Sequence, residues 1–351
     1  MRRVVRAIAV VGAALVLFLG VAWLANADVR YLVRAGVEEA RILWRRRPIA
    51  ELVADPGVDP AVRAKLLLVL AARSWAADSL GLAAGGTFRA YTALERDTLV
   101  LVLSAAHGDR LAPYTWTYPI VGRVPYKGYF DFARALREAR TLERAGMDVY
   151  VRPASAFSTL GWFDDPLLST TLRGDSVEIA ATVIHELTHN TIYVRGHADY
   201  NESFATFVGY RGAEAFFRSR GDEGNAARAA ARWRDELRLS RFYGALAAQL
   251  ERVFASGAPP AEVRRAKEAA YAQAADQLAA ATFETLDGPR LARRPLNNAV
   301  LLAQRVYLTR LDDFDAVLGR SGGDLRRAVG TLGGAEARRG DPWAVLAGPG
   351  R

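Results

Sequence analysis

The chain has no cysteine among its 351 residues and only four histidines. Without thiols there is no disulfide, no thiolate zinc site and no lipid on an N-terminal cysteine, which leaves His and carboxylate as the strong metal ligands. Glycine and proline are sparse, at 30 and 14 residues, and with 51% apolar and 24% charged residues the composition excludes a disordered chain. There is no internal repeat and no long low-complexity tract. The net charge of +9 is not gathered into a basic stripe, because the arginines are dispersed through helical stretches beside Asp and Glu. No nucleic-acid module is recognisable, so nucleic acid is not an expected partner.

The one long apolar run lies at the start. Arg2, Arg3 and Arg6 precede apolar or small residues from Ala7 to Ala25, which as a helix span about 28 Å, close to the hydrocarbon thickness of a bilayer. Ala25-Asn26-Ala27 has a small-x-small cleavage pattern, so a removable export signal and a retained anchor both fit. Arginines flank the segment on both sides and do not fix its orientation. The expected location is the periplasm, or the inner membrane facing the periplasm.

Beyond this leader, residues 28–47 and 60–82 carry helical apolar spacing, broken by "DPGVDP". Strand-like patterns follow in "TFRAYTAL", "TLVLVLSAA", "WTYPIVGRVPY" and "MDVYVRPA", with a helix expected over 130–145 between the last two. From Asp175 onward helices dominate, including a hairpin of 222–256 and 260–283 around "SGAPP". The expected organisation is a leader at 1–27, one domain over 28–335 whose helical C-terminal part begins near 222, and a tail at 336–351.

Three of the four histidines fall in "VIHELTHNTIYVRGHADYNESFATFVG", residues 183–209. Asp175 followed by Glu178 has the form of a capping box, so a helix should start near Ser176. On it His185 and His189, four apart, project from one face and can share one ion. Glu186 lies about 100° around the helix, where its carboxylate can reach a water on the metal without being a ligand. A hydrolytic zinc needs three protein ligands and an open position. Glu202 is the expected third, reached through a turn at Gly196 and a second helix starting near Asp199. Asp199 and Glu202 could instead form another capping box, and His197 is a rival ligand whose spacing does not match the metzincin pattern.

The stretch resembles the bacterial putative aminopeptidase family, exported zinc metallopeptidases of gluzincin type. The likeness extends over "YPIVGRVPYKGYFD", "FSTLGWFDDPLLST", "HELTHNTIYV", "YNESFATFV" and, more weakly, "LNNAVLLAQRVY". It implies His185, His189 and Glu202 as ligands of one Zn²⁺ per chain and Glu186 as general base. It also implies a predominantly helical α+β fold: a zincin-like catalytic core with a small β-sheet and a helical C-terminal part. The chain departs from its relatives in lacking the lipobox cysteine, in Phe157 where many have Tyr, and in His197 where many have an acid. The words HELTH and NExxA are also similar to thermolysin, with Thr206 in place of the aspartate that orients a zinc histidine.

The expected function is zinc-dependent peptide hydrolysis, as an aminopeptidase of the cell envelope. A zinc endopeptidase and a non-catalytic zinc-containing envelope binding protein are the alternatives. A peptide or protein is the expected substrate, and the membrane is a partner through an uncleaved leader. Tyr193, one turn beyond His189, is either an oxyanion donor or a partly buried helix tyrosine. Asp164 and Asp165 either face a substrate amine or cap the next turn.

Overall fold

The computed structural model describes residues 36–38, 40–96, 98, 100–118, 122–154 and 165–347. The expected leader, Asp164 and the end of the tail lie outside them. Among the described residues no helix is long and apolar enough to cross a membrane. The chain divides into two units, Met1–Arg46 and Arg47–Arg351. In the first, residues 40–44 are helical; all elements below belong to the second.

The fold is predominantly helical α+β, with sheets of two or three strands. After β1 (Arg47–Pro48) come α1 (Ile49–Ala54) and α2 (Pro60–Leu80). Asp59 caps α2 by accepting from Ala61 and Val62 N–H, and Gly81 ends it in the left-handed region. The β region holds β2 (Ala90–Thr92), β3 (Val100–His107), β4 (Trp116–Tyr118), β5 (Gly122–Val124), β6 (Tyr126–Tyr129) and β7 (Met147–Ala154), with α3 (Phe132–Arg144) before β7. β3 is central in an antiparallel sheet of order β6-β3-β7. "WTYPIVGRVPY" is not one strand: Trp116 pairs with Val124 in a β4–β5 hairpin, and Tyr126 already belongs to β6. The run holds two prolines and a glycine, residue types that weaken a continuous central strand. A short β8 (Leu167–Leu168) completes a second sheet with β1 and β2.

Then follow α4 (Ser176–Thr191), α5 (Ala198–Ser219), the long hairpin of α6 (Glu223–Phe254) and α7 (Pro260–Ala280), α8 (Gly288–Ala292), α9 (Asn298–Tyr307), α10 (Leu311–Arg320), α11 (Leu325–Leu332) and α12 (Ala335–Arg339). α4 starts as expected, because both halves of the Asp175–Glu178 capping box are made. Its apolar face, with Ile179, Val183, Ile184 and Leu187 buried, packs between α2 and α5. On α5, Tyr200, Phe204 and Phe207 recur at helical spacing and meet Phe314 of α10 at centroid distances of 5.6, 6.1 and 5.8 Å. This apolar contact fixes α5 against α10 among the helices of the second unit.

α9 is fastened to the sheet by the two asparagines of "LNNAV". Asn297 caps it, accepting from Val300 N–H, and donates to Val149 O at 2.9 Å. Asn298 donates through its backbone N–H to Asp148 and through its side chain to His107 O, each at 2.8 Å. Lys267 pairs with the same Asp148 at 2.7 Å. The helix thus lies between sheet and α5, with Tyr307 at its end.

Candidate metal centre

α4 ends at Thr191 because Ile192 turns extended, and the chain reverses through Gly196 at φ +86°, a conformation that L side chains rarely adopt. α5 then runs back along α4. Asn201 holds the connection: its side chain accepts from Val194 N–H and donates to Val194 O, both at 2.8 Å. The next residue, Glu202, faces the histidines. Its Oε2 lies 3.3 Å from His185 Nε2 and 3.5 Å from His189 Nε2, and the two Nε2 atoms are 3.1 Å apart.

These separations test whether an ion fits. Four donors at about 2.0–2.1 Å in a tetrahedron lie about 3.3–3.4 Å from one another. The three observed edges bracket that value, and this group can hold a metal ion. Two imidazole nitrogens and a carboxylate oxygen that converge at this spacing need a proton or a cation between them. The protonation tendencies agree. Burial opposes charge on His185, but its hydrogen bond with Glu202 and the charges of Glu186 and Glu202 outweigh this and raise its pKa. Burial likewise opposes charge on Glu202, yet the hydrogen bonds from both histidines hold its carboxyl well below the usual range.

The remaining expected residues fall as follows. Glu186 is half-buried on α4, one residue past His185, and its charge acts on His185 and on Tyr307. Asp199 forms no capping box, since α5 begins at Ala198 without a side-chain cap and Glu202 points to the histidines. His197, at the N-cap position, is outside the group close enough to share an ion. Thr206 is buried on α5, and the backbone partner of His185 there is its neighbour Ala205. Tyr193 does not continue the His185–His189 line, because the helix has already ended; it is 62% exposed. Asp165 is half-buried beside β8, where its carbonyl accepts from Phe88 N–H.

Sequence reasoning missed four side chains around the centre. The ring of Tyr307 stacks on His185 with centroids 6.5 Å apart. Tyr126, 54% exposed on β6, and Tyr307, 37% exposed, both have their phenol pKa raised, first by burial and then by the charge of Glu202. The charge of Arg152 on β7 acts on both and favours their ionised forms, but does not prevail. Ser203 locks this arrangement: buried next to Glu202, its hydroxyl donates to Val306 O at 3.3 Å and accepts from Thr309 N–H at 3.0 Å, gripping the chain on either side of Tyr307.

A helical α+β fold with a His-His-Glu group able to hold a metal ion defines a class of candidate metalloproteins. The comparison with protein families narrows it: the model of the family described as Putative aminopeptidase matches residues 30–337. The chain belongs to that family. Neither the curated proteins nor the solved structures gave a match.

Proposed function

We propose that the protein is a zinc-dependent peptidase of aminopeptidase type in the cell envelope, with His185, His189 and Glu202 as the zinc ligands and Glu186 as the general base. The observation that carries this reading is the triangle of donor atoms at 3.1, 3.3 and 3.5 Å, taken with the family. It supplies three ligands and leaves the fourth tetrahedral position for water. When bound, zinc supplies Lewis-acid polarisation of the scissile carbonyl and lowers the pKa of water from about 15.7 toward about 7.

The chain's own residues do the rest. A carboxylate oxygen of Glu186 takes the proton of the attacking water and returns it to the nitrogen of the leaving amine. The position of Glu186 argues against a purely structural site, which needs four ligands and no free base. Tyr307, stacked over His185, keeps its phenolic proton and is a hydrogen-bond donor at the rim.

The test combines metal analysis with hydrolysis of a mixed peptide library. Wild type is expected to hold about one zinc per chain and His189→Ala to lose it. Glu186→Gln should keep zinc while losing on the order of 10²–10⁴ in turnover. Full zinc occupancy in the first variant, or near-normal turnover in the second, would falsify the assignment.

A further inference from the structure

The sheet brings a cation to the rim of the candidate centre. In the β6-β3-β7 register, Tyr126 and Tyr150 both stand opposite Ser104, and Arg152 stands opposite Val102. Side chains two residues apart share a face of a sheet, so Tyr126 and Arg152 project from the same one. Tyr126 is within electrostatic reach of Glu202, and Arg152 within reach of Tyr126 and Tyr307. Tyr307 in turn lies against His185. Arg152, Tyr126 and Tyr307 are therefore neighbours beside the His-His-Glu triangle.

Arg152 differs from two other half-buried cations of the fold. Lys267 has Asp148, and Arg211 has Asp315 and Glu214, at 2.7–3.0 Å. Among the described residues no carboxylate lies within ion-pair distance of Arg152, although its side chain is half-buried. The carboxylate of Glu202, whose charge acts on the same two tyrosines, is already engaged by two histidines. A partly desolvated, unpaired guanidinium is costly, and an anion arriving from solvent offsets that cost. Its planar donors match a carboxylate, and the hydroxyl groups of Tyr126 and Tyr307 are further hydrogen-bonding groups.

We propose that Arg152, flanked by Tyr126 and Tyr307, binds a carboxylate of the substrate beside the metal centre. Preferred peptides then carry a negative charge near the scissile bond, from a free C-terminal carboxylate or from an Asp or Glu side chain. This specificity rests on the peptidase reading above. It also sets the orientation of a short peptide, since a substrate α-ammonium is repelled from Arg152 and sits on the opposite side of the zinc.

The experiment uses the full chain, zinc-loaded, and a set of alanine tetrapeptides: the free acid, the C-terminal amide, and amides with one Ala replaced by Glu or by Gln. Equilibrium binding is measured by calorimetry in the Glu186→Gln background, where hydrolysis does not interfere, and kcat/KM is measured with wild type. The free acid is expected to bind on the order of tenfold tighter than the amide, or the Glu peptide tighter than the Gln peptide, as befits a charge-assisted contact. The arm that discriminates identifies the source of the carboxylate. Arg152→Gln should bring the ratio toward one and Arg152→Lys should retain part of it. Equal binding of charged and neutral peptides, no binding of any peptide, or a ratio that survives Arg152→Gln overturns the proposal. The comparison within the Arg152 chain decides the matter even if the variants do not fold. Discrimination in binding without any wild-type hydrolysis would sink the peptidase reading and leave the carboxylate site standing; hydrolysis without discrimination does the reverse.

Discussion

Asp235 illustrates how far a single carboxylate can organise chain distant from it. Buried on α6, it accepts from the backbone N–H groups of Glu284, Thr285 and Leu286, from the Thr285 hydroxyl and from Arg238. Burial opposes its charge, but these donors outweigh it and hold the pKa below the ordinary value. A depressed native pKa contributes stability that is present above the unfolded value of about 3.9 and is lost as pH falls through the native one. Asp235→Asn is therefore expected to cost about 1–3 kcal/mol at neutral pH and to flatten the acid side of the Tm profile. Thermal melts of both proteins at a series of pH values measure this; parallel acid limbs would show that the carboxylate charge contributes nothing. Such a residue is invisible in sequence, since nothing in "RWRDELRLS" says which acid gathers the donors of residues 284–286. The histidines of "HELTH" were legible because their relation is local: four residues on one helix bring two rings together. Arg152 and Tyr307 were not, because only the sheet register and the docking of α9 place them near Glu202.

Between elements, the decisive contact is the crossing of α4 and α5, where small residues let the helices approach. A Cβ built on Gly209 would lie 2.8 Å from Ala181 O and 3.3 Å from the His185 Cβ, so α5 would have to move away from α4 and carry Glu202 with it. Gly209→Ala is expected to lose about 1–3 kcal/mol of stability and, by opening the ligand triangle, to weaken zinc binding by tenfold or more. Gly244 on α6 has open space around its Cβ position, so Gly244→Ala should stabilise by up to ~1 kcal/mol without touching zinc affinity. Melting curves and zinc competition with a chelating dye separate the two. Loss of zinc in both variants, or in neither, would contradict this view of the crossing. Elements with a long period or a local cap were readable: α4 from its capping box, β7 from its alternation, the α6–α7 hairpin from "SGAPP". β1 and β8, two residues each, exist only through pairing with β2 and carry no pattern of their own.

For the molecule as a whole, the leader pattern of residues 1–27 predicts export. A C-terminal reporter active only outside the cytoplasm should work on the full chain and fail when those residues are deleted; equal signals would refute export. The candidate site itself is assembled from separate parts of the fold: α4 and α5 give the His-His-Glu triangle, while its neighbours come from β6, β7 and the end of α9. What joins them is the first turn and a half of α5. There Asn201 ties the loop at Val194, Glu202 meets the histidines, and Ser203 grips α9 at Val306 and the chain just beyond it at Thr309. Three successive side chains point about 100° apart, and each serves a different segment. A rotation or one-residue slip of that turn breaks all three attachments together. Divergence at this turn therefore has few gradual routes: a lineage can vary the rim one residue at a time, but it gives up loop, ligand and clamp in a single step.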